Sequence, residues 1–397
     1  METLLQKSAE RVAQTSLNFV RSIMKEIEWS YRFIGIIGSR GIGKTTLLLQ
    51  YIKQNYPNDE HALYVSADNI WFSEHKLVEL ADTFSKRGGK YLFLDEIHKY
   101  PNWSQELKNI YDDFPTLKVV FTGSSMLEIL NSKADLSRRA VVYYMQGLSY
   151  REFLNMNFQT GFETLNLVDI LTKQRELASS ILSKIKPLEH FTGYLQHGYY
   201  PFYNESPTLY YHRVEEIINM ILEVELPMLR GVEVAYIPKI KQLLQIIAES
   251  VPFIPNVSKL SQRIGVERIT FLNYLYYLAE AGLSKHLYVD ADGINKLQKP
   301  DKIYLENTNL SYALVSANTD IGNIRETFFL NQLSYKNKIE YVNNGDFIAN
   351  NTFTFEVGGK GKTNEQIKNV KNSFIISDNI EYGFGNKIPL WLFGFLY

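Results

Sequence analysis

The sequence predicts an α/β protein of several domains, with a parallel sheet in its first part. Three observations predict it. The chain has 397 residues, which at about 100–200 residues per domain implies two to four domains. Short apolar runs first alternate with helical patterns, as they do where crossover helices join parallel strands. Farther on the pattern changes to helix alone, and then to short helices with strand pairs.

Taken in order, residues 1–30 lack an apolar signal core and read as a polar N-terminal helix. Residues 31–155 carry five candidate strands: Arg32–Ile37, Leu63–Ser66, Tyr91–Leu94, Lys118–Thr122 and Val141–Met145. Residues 156–238 read as helical, with apolar spacing over Val168–Ile185 and Tyr211–Val232 and a turn signal at Gly198-Tyr199-Tyr200-Pro201. Residues 239–306 give helix Val257–Ile264, the turn Gly265-Val266, helix Arg268–Ala281, strand Ser284–Val289, the turn Asp290–Gly293 and strand Ile303–Leu305. That order is a winged helix-turn-helix pattern. Within residues 307–397, the stretch Asn323–Tyr397 reads helix, strand, strand, helix, strand, strand. Its strands are Phe347–Ala349, Phe353–Val357, Ser373–Ser377 and Leu390–Leu396.

Composition narrows the function. Hydrophobic residues make up 45% and charged residues 21%, so the chain is globular. A formal net charge of -1 predicts neither nucleic-acid nor membrane binding in bulk, and any basic surface must be local. The absence of cysteine excludes disulfides, thiolate zinc sites and cysteine nucleophiles, and fits a reducing cytosol. The 7 histidines are scattered and form no zinc pattern. No apolar run reaches membrane-spanning length, and Ile388–Tyr397 reads as a buried final strand. A cytoplasmic protein without a membrane partner is the expectation.

The strongest motif is Gly38-Ser39-Arg40-Gly41-Ile42-Gly43-Lys44-Thr45, which matches G-x-x-x-x-G-K-[ST] in full. It follows an apolar strand and opens a helix at Thr45–Tyr51, as a phosphate-binding P-loop must. Glycines let backbone N–H groups close around phosphate oxygens, and the helix N-terminus favours the anion. Lys44 is expected on the β- and γ-phosphates and Thr45 on Mg²⁺. The buried run Tyr91-Leu92-Phe93-Leu94 then ends in Asp95-Glu96, at the strand ends where open α/β sheets place ligands. Asp95 is expected to hold Mg²⁺ through water, and Glu96 to orient and deprotonate the attacking water. Two further positions carry two readings each. Thr122 or Ser124 either contacts the γ-phosphate or attacking water, or Ser124 and Ser125 cap a helix. Arg138 or Arg139 either stabilises the transferring phosphoryl group, in cis or from a neighbouring subunit, or forms a surface ion pair. His98 fits nucleotide contact, partner contact or packing.

These residues resemble the AAA-type branch of P-loop ATPases, where the catalytic Glu follows the Walker B Asp. More narrowly they resemble a large prokaryotic family of AAA-type ATPases with a C-terminal domain of unknown function. The pieces that carry the resemblance are Gly38 through Thr46, Leu94-Asp95-Glu96-Ile97-His98-Lys99-Tyr100-Pro101-Asn102-Trp103, Thr122-Gly123-Ser124-Ser125, Leu136-Ser137-Arg138-Arg139 and Leu148-Ser149-Tyr150-Arg151-Glu152-Phe153. The family usually has Gly-Arg where this chain has Arg138-Arg139, so Arg139 matches the family arginine. The resemblance covers nearly the whole chain and implies ATP rather than GTP. It also implies the order ATPase, winged helix, restriction-endonuclease-like domain.

The two C-terminal modules keep their alternatives. A winged helix would direct Arg268–Ala281 toward DNA, with Thr270, Asn273, Tyr274 and Tyr277 outward. Arg263, Lys285, His286, Lys296 and Lys299 would then meet phosphates. Otherwise it is a packing module. The last module resembles the PD-(D/E)xK nuclease fold. Glu326, Asp346 and Glu356 are its candidate metal carboxylates and Lys360 its candidate lysine. Lys360 stands four residues after Glu356, about 13 Å along a strand, unless a bulge at Gly358-Gly359 brings it closer. Otherwise the module is a degenerate nuclease fold used for docking. The expected function is Mg²⁺-dependent ATP hydrolysis that switches these modules toward DNA, a protein partner or further copies of the chain. The alternatives are a nucleotide-controlled nuclease and a non-hydrolysing scaffold.

Overall fold

The five apolar runs of the first part form one parallel sheet in the order β2-β3-β4-β1-β5. The strands are β1 (Phe33–Ile37), β2 (Ala62–Ser66), β3 (Tyr91–Asp95), β4 (Lys118–Gly123) and β5 (Val141–Tyr144). The computed structural model describes residues 1–57, 60–123, 136, 138–250, 252–289, 299–315 and 320–397. It divides into two units, Met1–Gly147 and Leu148–Tyr397.

In the first unit β1 is buried along its whole length, which is why its residues are apolar without alternation. Because every pairing is parallel, all five carboxyl ends leave the sheet along one edge. The strand order sets β4 between β1 and β3. The P-loop after β1 and the carboxylates ending β3 therefore flank the end of β4. The N-terminal helix, Glu2–Gln14, buries Leu4, Ser8 and Val12 at four-residue spacing, one face of a helix. That face lies on β2, where the Tyr64 N–H donates to Ser8 Oγ at 3.0 Å.

The second unit begins with helices Tyr150–Phe158, Leu167–Leu182 and Pro187–His197. A longer helical stretch runs from Tyr210–Met220 through the π-helical turn Ile221–Glu225 into Leu226–Arg230. Helices Ile237–Glu249, Val257–Ile264 and Arg268–Glu280 precede an antiparallel pair, β6 (Ser284–Leu287) and β7 (Lys302–Leu305). The expected turn Asp290–Gly293 lies outside the described residues. Helices Thr308–Val315 and Ile321–Leu333 lead to a second sheet of β8 (Ile339–Glu340), β9 (Phe347–Ala349), β10 (Phe353–Gly358), β11 (Ser373–Ser377) and β12 (Lys387–Pro389). Strands β8 to β10 pair antiparallel, and β10 to β12 pair parallel.

Two expectations need correction, and one packing relation stands out. Within the second unit the helical part supplies apolar cover for the helix that precedes the last sheet. Tyr150 packs on Phe191, Tyr194 and Phe395, and Phe191 meets Phe328 edge to face. The side chain of Asn309 accepts the Tyr199 N–H at 2.9 Å, a buried bond across 110 positions. Leu390–Leu396 is not a strand: β12 stops at Pro389, which caps a buried 3₁₀ helix, Leu390–Phe395. No helix lies between β10 and β11, where turns occupy residues 365–369.

Candidate nucleotide site

The P-loop conformation depends on its glycines. A Cβ on Gly38 would stand 2.1 Å from the Met145 carbonyl oxygen, so only glycine allows that approach. Gly43 has φ 96 and caps the Lys44–Asn55 helix in the left-handed region. Lys44 is buried, and its ammonium donates to the carbonyls of Gly38 at 2.8 Å and Ser39 at 2.6 Å. The charge thus sits inside the loop. Arg21, absent from the sequence-based candidates, fixes the loop from outside. Its guanidinium donates to Ile42 O at 2.8 Å, Gln146 O at 2.8 Å and Gly147 O at 2.9 Å.

Asp95 is 3% exposed and is met by hydroxyls from three neighbouring elements. Thr45 Oγ1 donates to Oδ2 at 2.7 Å, and the Tyr64 hydroxyl donates to the same oxygen at 2.8 Å. Thr122 Oγ1 donates to Oδ1. Thr122 also accepts the Glu96 N–H at 3.0 Å, and Glu96 takes a left-handed φ of 50. The end of β4 therefore fixes the backbone of the residue beside Asp95. Ser124, and the cap at Ser125, lie outside the described residues.

The Glu96 carboxylate is shared by cations. Arg40 of the P-loop lies 3.9 Å from Oε1, and Lys99 pairs with Oε2. Lys99 also holds Asp68 at 2.7 Å. His98 is 4% exposed. Burial, then the charges of Lys44, Lys99 and Arg40, depresses its pKa to about 3, so it is a neutral ring near neutral pH.

Thr45 and Asp95 fit a magnesium ion chemically. A hydroxyl and a carboxylate oxygen 2.7 Å apart are the hard oxygen donors that Mg²⁺ takes alongside phosphate and water. The Gly38 contact and the inward Lys44 ammonium fit a phosphate chain in the loop.

Arg139 forms an ion pair, one of its two readings. It precedes β5, whose Val141 pairs with Ile34 near the start of β1, at the sheet edge opposite the P-loop. There it grips Asp112 with two bonds of 3.2 Å. The length of β1, at about 3.3 Å per residue, lies between that end of the sheet and the phosphate loop. Arg138 is exposed.

The carboxylates of the second unit are partly gathered. Lys362 Nζ lies 2.5 Å from Glu356 Oε1, and Lys302 lies 3.6 Å from Asp346. Tyr304 donates to Glu326 at 2.7 Å, and Val357 N–H donates to Asp346 at 2.8 Å. Burial, then the charge of Asp346, raises Glu326 to about 7, and burial raises Glu356. Lys360 is corrected: it is exposed, and only its carbonyl, accepting from Lys387, is engaged. The turn after Gly358 instead returns Lys362 over that glycine, where a Cβ would stand 2.7 Å from Lys362 Cδ. Among the described residues no group of three or more His, Asp or Glu is arranged to hold a metal ion.

The DNA-contact candidates also change. Tyr274 is buried, not outward. Lys285 pairs with Glu306 at 3.3 Å. Burial lowers His286 to about 4, so it carries no charge for a phosphate. Lys296 lies outside the described residues.

A P-loop after β1, an acidic β3 end and the strand order β2-β3-β4-β1-β5 define an α/β P-loop NTPase. The AAA domain family model matches residues 30–154. A domain of unknown function (DUF8612) matches residues 188–321. No curated protein matches the chain. Similar solved structures include a Walker-type ATPase of Pyrococcus abyssi, at 12% identity and TM-score 0.42, over 78% of this chain and 95% of that one. The Orc1 protein of Aeropyrum pernix in complex with DNA gives 15% identity and TM-score 0.31 over 80% and 92%. AMPPCP-bound DnaA from Aquifex aeolicus gives 13% and 0.26 over 65% and 84%. At scores below 0.5 none of the three bears on function. Among the described residues no helix is long and apolar enough to cross a membrane.

Proposed function

We propose that this chain binds ATP with Mg²⁺, hydrolyses it to ADP and phosphate, and uses the cycle to switch its second unit. The observation that carries this is the placing of Thr45 Oγ1 2.7 Å from Asp95 beside the buried Lys44, with Glu96 next in chain. Thr45 and Asp95 would hold Mg²⁺, which when bound supplies positive charge along the phosphates. Lys44 neutralises the β- and γ-phosphates. Glu96 takes a proton from the attacking water as the water oxygen bonds to the γ-phosphorus and the bridging P–O bond breaks toward ADP. Its salt bridges to Arg40 and Lys99 must yield one carboxylate oxygen for that step. Arg139, on the opposite sheet edge, then serves a neighbouring copy's phosphates. The effector is DNA or a protein, and the setting cytoplasmic.

The test is ATP turnover by the purified chain with MgCl₂, with and without DNA. Lys44→Ala is expected to lose nucleotide binding. Glu96→Gln is expected to keep binding while turnover falls about 100-fold or more, the usual worth of a general base. Turnover surviving in Glu96→Gln would sink the assignment of Glu96. Stimulation by DNA would make DNA the effector.

A second reading is favoured by one observation. Lys362 fills the space over Gly358 and reaches Glu356, two residues before that glycine, as a nuclease lysine would. In that reading Glu326, Asp346 and Glu356 serve metal-dependent cleavage of nucleic acid. Cleavage abolished by Glu356→Ala but kept in Glu96→Gln would support it, and no cleavage under any metal would dispose of it.

A further inference from the structure

We infer that Tyr64, backed by Arg11 of the N-terminal helix, is a positioning residue for the Asp95 carboxylate. The helix Glu2–Gln14 is thereby part of the nucleotide site. This rests on the ATPase reading above and adds residues outside its motifs.

Tyr64 lies on β2, beside β3, and its ring is 4% exposed. A phenol carries one proton, and here that proton goes to Asp95 Oδ2 at 2.8 Å. Burial, then the charge of Asp95, keeps the hydroxyl protonated. Behind it, Arg11 donates to the phenol oxygen at 3.1 Å, and its guanidinium stands 5.5 Å from the ring centroid. A cation on the oxygen's lone pair polarises the O–H toward the carboxylate, so the two bonds reinforce each other. The helix is fastened at both levels of the site. Ser8 holds the backbone of Tyr64, and Lys53 of the P-loop helix donates to Ala13 O at 2.8 Å and Thr15 O at 2.7 Å.

Acceptor capacity shows what this achieves. A carboxylate offers about four lone-pair sites. Thr45 and Tyr64 occupy Oδ2, and Thr122 occupies one site on Oδ1. The remaining capacity of Oδ1 would serve a magnesium ion's hydration shell. Tyr64 does not touch nucleotide or metal in this scheme. It fixes the rotation of the Asp95 carboxylate, which would hold the ion through water.

The experiment uses the full chain and follows its melting midpoint with ATP, in a MgCl₂ titration and in EDTA. Tyr64→Phe keeps the buried ring and removes only the hydroxyl. It is expected to raise the MgCl₂ needed for half of the ATP-induced shift about tenfold or more, the loss of one hydrogen bond to a charged group. The shift by ATP in EDTA should stay unchanged. Arg11→Gln should move the MgCl₂ requirement the same way but less, about twofold. The double variant should be no worse than Tyr64→Phe, because Arg11 acts through the hydroxyl. An unchanged MgCl₂ requirement in Tyr64→Phe overturns the inference, and so does an additive double variant. A wild-type chain without any Mg²⁺-dependent shift overturns the ATPase reading and this inference with it.

Discussion

Asp95 in the first unit and Glu356 with Asp346 in the second are acidic side chains satisfied in opposite ways. Asp95 is met by the hydroxyls of Thr45, Tyr64 and Thr122. Glu356 and Asp346 are met by the ammonium groups of Lys362 and Lys302. A hydroxyl orients a carboxylate and leaves its charge for a cation. An ammonium group neutralises the carboxylate and competes with a cation. On that contrast a cation would meet less competition at Asp95 than at Glu356 and Asp346, whose charge already faces ammonium groups.

The largest expected effect tests that contrast directly. Asp95→Ala should lower ATP turnover about 100-fold or more, since it removes the metal's carboxylate partner. Glu356→Ala should leave turnover within about twofold. Equal losses in a steady-state assay would break the comparison and tie the second cluster to the nucleotide cycle.

A smaller effect sharpens it. Lys362→Met leaves the buried carboxylate of Glu356 without its close cation, and should destabilise the chain by about 1–3 kcal/mol in urea unfolding. Lys360→Met, at an exposed position, should stay within about 0.5 kcal/mol. The reverse ranking would restore Lys360 as the working lysine.

The same contrast explains what could be read from the sequence. Gly38 to Thr45 and Asp95-Glu96 could be singled out because a phosphate-loop motif is local, with its residues at fixed spacing. The partners of Asp95 were harder. Tyr64 and Thr122 come from β2 and β4, so naming them needs the strand order β2-β3-β4. Arg11 reaches Tyr64 across 53 positions and leaves no spacing signal. Lys362 carries no spacing signal, because it reaches Glu356 only through the turn at Gly359, whose carbonyl accepts the Lys362 N–H at 3.0 Å. Arg139 could have been placed from sequence. A residue before a parallel strand lies on the edge away from the loops that follow the strands.

The smallest effect concerns pH and should carry opposite signs in the two units. His98 is depressed to about 3 by burial and neighbouring cations, against about 6.5 when unfolded. As pH falls below about 6.5 the unfolded chain takes up a proton that the folded one refuses, so this stabilising contribution is lost toward acid. Glu326 is raised to about 7 by burial and Asp346, from an ordinary value of 4.5. Between those values the folded chain holds the extra proton, so its contribution is present at low pH and lost as pH rises through about 7. Urea midpoints between pH 5 and pH 8, in EDTA, read both. Relative to His98→Asn the wild type should lose stability as pH falls, and relative to Glu326→Gln it should lose stability as pH rises. Parallel curves for either pair would mean that the group does not titrate differently on folding. For Glu326 that outcome would place its carboxyl in contact with water and reopen the second centre to a cation.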